Sequence, residues 1–381
     1  MQNKQVIELI NQIRSGDGKT ATEHLKTYDG SLDTKIKISW MPLMFAVMEC
    51  NKGLVIQLIK KGADVNLKDE YGWSALLLAS WLGHKDIVKE LVQANANVNN
   101  IDTYKRSAVL LAAKRGNRGT VKYLIRKGAD IQQQDIHNRN LLMFAAWGRN
   151  KKLVQYILDL NIFDINKTDL LGWQSVMYAT SAKSKAVVAL LLDNGSNIDI
   201  SNNMGWTLPM IAIANAPIGL LELLIKRGVN IRATQDPNGF TPLIISIVEA
   251  RRDMINLLLE NGANINAVIG KLGFSTLMLA IGNGKMSIIK HLLDRGADVN
   301  VCSNTQGASP LMIAVETENI EIVKLLLENG ANVSYKNQIG LSAMTFAMLK
   351  KNKPLIELLG GYAKQKPPSL NVMELFKHIS H

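Results

Sequence analysis

The apolar residues of this chain come in short bursts, and the bursts come in pairs. A compact burst such as Leu76-Leu-Leu-Ala79 is broken at Gly83. Asp86-Ile-Val-Lys-Glu-Leu-Val92 then restarts with apolar positions about 3.6 residues apart, so each pair predicts two short helices joined by a turn. Ser, Thr or Asn stands before many of the first bursts, where its side chain can accept an orphan backbone N–H and start the helix. Gly62 and Gly262 follow second bursts and predict helix ends in the left-handed region. Pro217 sits just inside a second start, where its missing N–H costs nothing. The longest apolar stretch, Leu208–Ile225, is interrupted by Asn215, Pro217 and Glu222. It predicts two short helices rather than a membrane span.

The pairs repeat with a fixed period. Gly72-Trp-Ser-Ala-Leu-Leu-Leu-Ala79 returns as Gly239-Phe-Thr-Pro-Leu-Ile-Ile-Ser246 and Gly307-Ala-Ser-Pro-Leu-Met-Ile-Ala314. A second phrase recurs as Lys61-Gly-Ala-Asp-Val-Asn66, Asn261-Gly-Ala-Asn-Ile-Asn266, Arg295-Gly-Ala-Asp-Val-Asn300 and Asn329-Gly-Ala-Asn-Val-Ser334. The Thr-like position of the first phrase falls at Met41, Ser74, Ser107, Asn140, Gln174, Thr207, Thr241, Ser275, Ser309 and Ser342, always 33 or 34 residues apart. That leaves no room for an inserted catalytic domain. One pair cannot bury its apolar face alone, so the copies have to stack.

These phrases resemble the ankyrin repeat, whose pattern is Asp-x-x-Gly-x-Thr-Pro-Leu-His-x-Ala, then Gly-His and Gly-Ala-Asp-Val-Asn. The resemblance covers roughly residues 36–363 and implies an all-α solenoid of ten units, each a helix-turn-helix with a hairpin loop. Residues 1–35, with Val6–Thr27 and Arg14-Ser-Gly-Asp17, are expected to form a degenerate N-terminal capping repeat. Residues 364–381 are expected to form a tail with a short amphipathic helix on Leu370, Met373, Leu375, Phe376 and Ile379. The chain departs from the family at the His of Thr-Pro-Leu-His, reading Met44, Leu77, Leu110, Met143, Met177, Met210, Ile244, Met278, Met312 and Thr345. Apolar packing is expected to replace the hydrogen bond between units. Six of the 15 methionines are thereby core residues rather than a cofactor box.

Composition narrows the chemistry. With 47% hydrophobic and 20% charged residues over 381 positions, the chain is too apolar for a disordered protein. Cys50 and Cys302 are too few for a disulfide framework, which fits a reducing compartment. Ser15-Gly-Asp-Gly-Lys-Thr20 ends like a phosphate-binding loop, but Ile13 stands where the earlier Gly is required and a helical segment precedes it. A turn between two helices is expected there. The histidines His24, His84, His137, His291, His378 and His381 form no zinc spacing. Cys50 has no His or acid of its own repeat placed to activate it. No cofactor, metal or catalytic residue is expected.

The tryptophans are more informative. The residue before the Thr-like position, a fingertip in the ankyrin family, reads Trp40, Trp73, Arg106, Arg139, Trp173, Trp206, Phe240, Phe274, Ala308 and Leu341. Trp81 and Trp147 lie at the inner end of first helices, and Tyr71 and Tyr104 join the same side. All six tryptophans thus occupy positions that the family uses for contact, and Trp, Tyr and Arg dominate interface energies. The formal charge of +12 is local: Ile101–Gln133 holds eight basic residues against Asp102 and Asp130, and the stretch from Lys350 onward holds six against Glu357 and Glu374. Lys105, Arg106, Lys114, Arg115 and Arg139, flanked by Trp73, Trp81 and Trp147, resemble a site for an acidic segment of a partner protein. The alternative is a small anionic or nucleotide ligand, its base on Trp73 or Trp81 and its phosphates on Arg106 and Lys114. Nucleic acid is not expected, because the basic residues are too localised for a phosphate track. A cytoplasmic monomer is expected. The tail is expected to fold as a cap over the apolar end of the last unit; as the alternative, a short hydrophobic tail after basic residues resembles the export signals of bacterial effectors, which implies delivery into a host cell.

Overall fold

A computed structural model describes residues 2–28, 30–33, 40–232, 239–270, 273–303 and 307–364, and among these nearly all regular structure is helical. The expected tail helix, and any export signal in it, lies outside the described residues. The helices are α1 (Gln2–Arg14), α2 (Gly18–Thr27), α3 (Pro42–Met48), α4 (Lys52–Lys60), α5 (Ala75–Leu82), α6 (Lys85–Gln93), α7 (Ala108–Lys114), α8 (Arg118–Arg126), α9 (Leu141–Trp147), α10 (Lys151–Leu158), α11 (Ser175–Ser181) and α12 (Lys185–Asp193). They continue as α13 (Leu208–Asn215), α14 (Ile218–Lys226), α15 (Pro242–Val248), α16 (Arg252–Glu260), α17 (Thr276–Gly282), α18 (Met286–Asp294), α19 (Pro310–Glu316), α20 (Ile320–Glu328), α21 (Ala343–Leu349) and α22 (Lys353–Lys364). No helix of the described residues is long and apolar enough to cross a membrane, and the 208–225 stretch is split between α13 and α14.

The chain divides into two compact units. One runs to Asn203 and includes Asn215–Arg227; the other holds Met204–Ala214 and continues from Gly228. In the first unit, successive first helices α3, α5, α7, α9 and α11 pack on one another, and each packs on its own second helix. The loop-like Ser15–Thr20 segment is the turn between α1 and α2, where the Asp17 carboxylate accepts the Thr20 N–H at 3.0 Å and caps α2. In the second unit, α15, α17, α19 and α21 stack likewise, with a small hairpin of β1 (Val268–Ile269) against β2 (Phe274–Ser275) preceding α17.

Local chemistry sets the helix ends. Ser74, Asn140, Thr241, Ser275, Ser309 and Ser342 each accept the N–H three residues on. Ser107 and Gln174 hold the same place without a side-chain cap bond. The turn between helices demands positive φ, which Gly83 supplies at 86°. Cys50 and Arg149 adopt φ of 54° and 62° in the corresponding turns. Gly148 has a different reason to be glycine: a Cβ there would lie 2.2 Å from the Ala113 carbonyl oxygen. Two consecutive turns therefore approach almost backbone to backbone.

First helices are buried nearly all round. Ala108–Ala113 of α7 are inaccessible to solvent. At the family's His position, Met44, Leu77, Leu110, Met143, Met177, Met210, Ile244, Met278 and Met312 are all buried. Each such side chain contributes about 1.5–3 kcal/mol by leaving water. The second phrase supplies some of the polar stapling between units. Asn99 Oδ1 accepts the Asp130 N–H at 2.8 Å while its Nδ2 donates to the Gly128 carbonyl at 3.1 Å. Asn66 and Asn300 repeat this geometry with Asn97 and Asn95 and with Asn332 and Gly330.

Candidate protein-interaction site

Four fingers of the first unit, those preceding α5, α7, α9 and α11, are each built on one acidic residue. Asp69 Oδ1 accepts the backbone N–H groups of Tyr71 and Trp73 at 2.9 and 2.8 Å. Asp102, Asp135 and Asp169 do the same for Tyr104 and Arg106, His137 and Arg139, and Leu171 and Trp173. Consecutive tips are tied by a backbone bond, as from the Thr103 N–H to the Tyr71 carbonyl and from the Ile136 N–H to the Tyr104 carbonyl, both at 3.0 Å. The second carboxylate oxygen is then left to the side chains, and its partner changes from finger to finger. Trp40 Nε1 donates to Asp69 at 2.9 Å, Arg106 Nε to Asp102 at 2.7 Å, Arg139 Nε to Asp135 at 2.8 Å and the Tyr178 hydroxyl to Asp169 at 2.5 Å.

These bonds sort the expected site residues. Arg106 and Arg139 spend their charge on buried carboxylates of their own hairpins and present guanidinium faces to aromatic rings. Arg106 lies 4.9 Å from the Tyr104 ring centre and 5.5 Å from that of Trp73; Arg139 lies 5.2 Å from Phe144 and 5.7 Å from Trp147. Lys114 is different. It is half-buried, with Nζ 3.8 Å from the Trp147 ring centre and 5.3 Å from Trp81, and no carboxylate pairs with it among the described residues. Exposed Arg115 lies over the other reach of Trp81, at 5.4 Å. Burial lowers the Lys114 pKa from its ordinary value, and the charges of Arg139 and Arg106 lower it further, with Asp135 opposing.

The rings continue the row on both sides. Trp73 meets Trp81 edge to face at 6.5 Å, and Tyr178 stacks at a tilt between Trp147 and Trp173, at 5.4 and 5.3 Å. Burial, reinforced by the bond to Asp169, pushes the Tyr178 hydroxyl far above its ordinary pKa and keeps it a donor. The result is one contiguous band: Tyr104, Arg106, Trp73, Trp81, Lys114, Trp147, Tyr178 and Trp173. Tyr71 and Tyr104 stand exposed at the tips, and Lys105, at φ 57°, lies on the exposed turn. Trp40 belongs to a separate contact with Phe45, at 5.4 Å edge to face. Trp206, Phe240 and Phe274 are half-buried residues of the second unit.

Tyr178 escaped the sequence reading, although its register offered a signal. It is the one hydroxyl in a row that otherwise reads Phe45, Leu78, Leu111, Phe144, Ile211, Ile245, Leu279, Ile313 and Phe346. Cys50 has a neighbour that its own repeat does not supply. Its own repeat holds no His beside it, but His84 of the next unit brings Nδ1 to 3.3 Å from Sγ. His84 Nε2 is buried without a partner, and burial lowers the pKa of the ring. The folded chain thus favours neutral His84, while the unfolded chain takes up the proton as pH falls through about 6.5. His84 contributes stability that is present above that pH and lost below it. Denaturation midpoints should fall between about pH 7.5 and 5.5, and a His84→Asn chain should show a flatter profile. The remaining slope includes His291, whose pKa is also lowered by burial and by Arg252 and Arg295.

Among the described residues, no group of three or more His, Cys, Asp or Glu is placed to hold a metal ion. What the band offers is a platform of indole and phenol surface around one uncompensated cation. The family profile "Ankyrin repeats (3 copies)" matches the chain at residues 9–102, 94–169, 176–269 and 273–367. The chain belongs to the ankyrin-repeat family. Ankyrin arrays generally bind other proteins, using the sides of the fingers and the first helices that carry the band here. Among curated proteins, none matches the chain.

Proposed function

We propose that the chain is a non-enzymatic scaffold of ten ankyrin units that grips a partner protein on the Trp81–Lys114–Trp147 face. The observation that carries this reading is the state of Lys114. A half-buried ammonium that no carboxylate of the described residues pairs with is held between two indoles, and a partner's Asp or Glu would complete it. Trp73, Arg115, Tyr104 and Trp173 extend the platform, and large aromatic surfaces of this kind supply most of the energy in protein interfaces. Arg106 and Arg139 act as supports for the rings. A nucleotide receptor is the weaker reading, because Arg106 already spends its charge on Asp102; a flat thermal-shift response across a nucleotide panel would eliminate it. On the expectation of delivery into a host cell, the partner is a host protein.

Lys114→Met tests the reading. The methionine keeps an unbranched stem between the indoles and removes the cation. Stability should change by less than about 1 kcal/mol, because the lost cation–π attraction is offset by relief from burying a charge. Partner capture should weaken about tenfold or more, the loss of one charge-assisted contact. Unchanged capture would refute the role given to Lys114.

A further inference from the structure

A second cluster of positive charge adjoins the indole band at Arg115 and runs onto the turns and second helices of the third and fourth units. Arg118 and Lys122 of α8 and Lys151, Lys152 and Gln155 of α10 line a depression of about 490 Å³ with Tyr156 and Asp159. An adjoining depression of about 460 Å³ is lined by Arg115, Arg149, Asn150 and the same two lysines. The five cations Arg118, Lys122, Arg149, Lys151 and Lys152 form no ion pair or side-chain hydrogen bond among the described residues. The single carboxylate in the first depression, Asp159, is engaged by Gln155 Nε2 at 2.8 Å. Lys122 instead lies over the Tyr156 ring, 4.3 Å from its centre.

Helix physics does not explain these residues. Arg118 and Lys151 open α8 and α10, whose first turns contain no acidic residue. The N-terminal end of a helix carries partial positive charge and favours anions, so cations there raise the free energy of the folded chain. The preceding unit adds to the imbalance. Lys85 reaches over the start of α8, where a Cβ on Gly119 would lie 3.1 Å from its Nζ. A basic residue also opens α4, α6 and α12, as Lys52, Lys85 and Lys185; in the third and fourth units it stands beside Lys122, Arg149 and Lys152 on two adjoining depressions.

We propose that this surface binds a compact anion carrying two or more phosphomonoester groups. A phosphomonoester brings about 1.5–2 negative charges and three acceptor oxygens, so two or three of them match five cations within one small area. Arg118 and Arg149 offer forked donors suited to phosphate, and the lysines serve as point charges beside them. An extended acidic peptide fits less well, since alternate side chains point to opposite faces and one face presents a charge only every 6–7 Å or so. The same phosphate chemistry occurs in soluble inositol phosphates and in the headgroups of membrane phosphoinositides.

Calorimetric titration of the full chain with inositol trisphosphate tests this. One site should appear, and Lys151→Glu with Lys152→Glu should weaken it about a hundredfold, as expected for two charge-assisted contacts. Lys60→Glu with Lys290→Glu makes the same change in net charge elsewhere and should leave affinity within a few-fold. The Trp81→Ala/Trp147→Ala chain should bind normally, which separates this surface from the protein-binding face. Vesicles of phosphatidylcholine doped with phosphatidylinositol bisphosphate distinguish the sources: co-sedimentation points to a membrane headgroup, and binding of the soluble compound alone points to a free phosphate. Three results would overturn the proposal: no heat from the trisphosphate, equal losses in both charge-reversed chains, or a polyglutamate peptide binding as tightly.

Discussion

Replacing Asp135 by Ala is expected to destabilise the first unit by about 3–5 kcal/mol, the range seen when one partner of a buried ion pair is removed. Asp135 is 2% exposed and the Arg139 side chain 18%. The carboxylate does two jobs. Oδ1 holds the hairpin through the His137 and Arg139 N–H groups at 3.0 and 2.9 Å, and Oδ2 neutralises the Arg139 guanidinium. Alanine removes both, leaving a guanidinium beside Lys114 with no counter-charge. Each orphaned backbone group adds a desolvation penalty of about 1–3 kcal/mol if water cannot reach it. Asp135→Asn should cost less, because its amide oxygen can still accept the two hairpin bonds. Arg139→Met in the Asp135→Ala background should recover part of the loss. Repeat arrays lose stability by neighbouring units rather than all at once, so hydrogen exchange resolved by repeat should show the third to fifth units opening first. A loss under about 1 kcal/mol would mean that the pair behaves as a solvent-screened surface bridge.

Much of this was legible from the period. A repeat of 33 or 34 residues with a capping residue, an apolar burst and a turn glycine encodes each helix pair locally, and stacking follows because neither helix can bury itself. Trp81, Lys114 and Trp147 are 33 residues apart in turn, so one register position in three consecutive units places the ammonium between two indoles. The partners of the second carboxylate oxygen were not legible. Asp102 and Arg106 sit four residues apart, but their pairing depends on a hairpin that folds the side chain back over its own turn. Tyr178 reaches Asp169 nine residues upstream, and Cys50 meets a histidine of the next unit. Those contacts depend on side-chain direction between stacked units, which a within-repeat pattern does not carry. Charge counting likewise located the excess in the third unit without separating neutralised arginines from the uncompensated Lys114.

The other large effect concerns the indoles themselves. Truncating Trp81 and Trp147 to Ala removes the two rings that flank Lys114, the edge-to-face contact with Trp73 and the stack on Tyr178. Central aromatic anchors commonly carry 2 kcal/mol or more each, so partner affinity should fall by about a hundredfold or more. Neither ring lies fully inside the core, so the array should stay folded. Because the energy is mostly aromatic burial, wild-type binding should weaken only mildly with salt, unlike a phosphate track. The most direct measurement is quantitative affinity capture with three chains side by side: wild type, Trp81→Ala/Trp147→Ala, and Trp206→Ala as a control from the second unit, each checked for folding by circular dichroism. The expected result is a partner retained by wild type and Trp206→Ala and absent from the folded double variant. Equal retention by all three chains would contradict the assignment of this face.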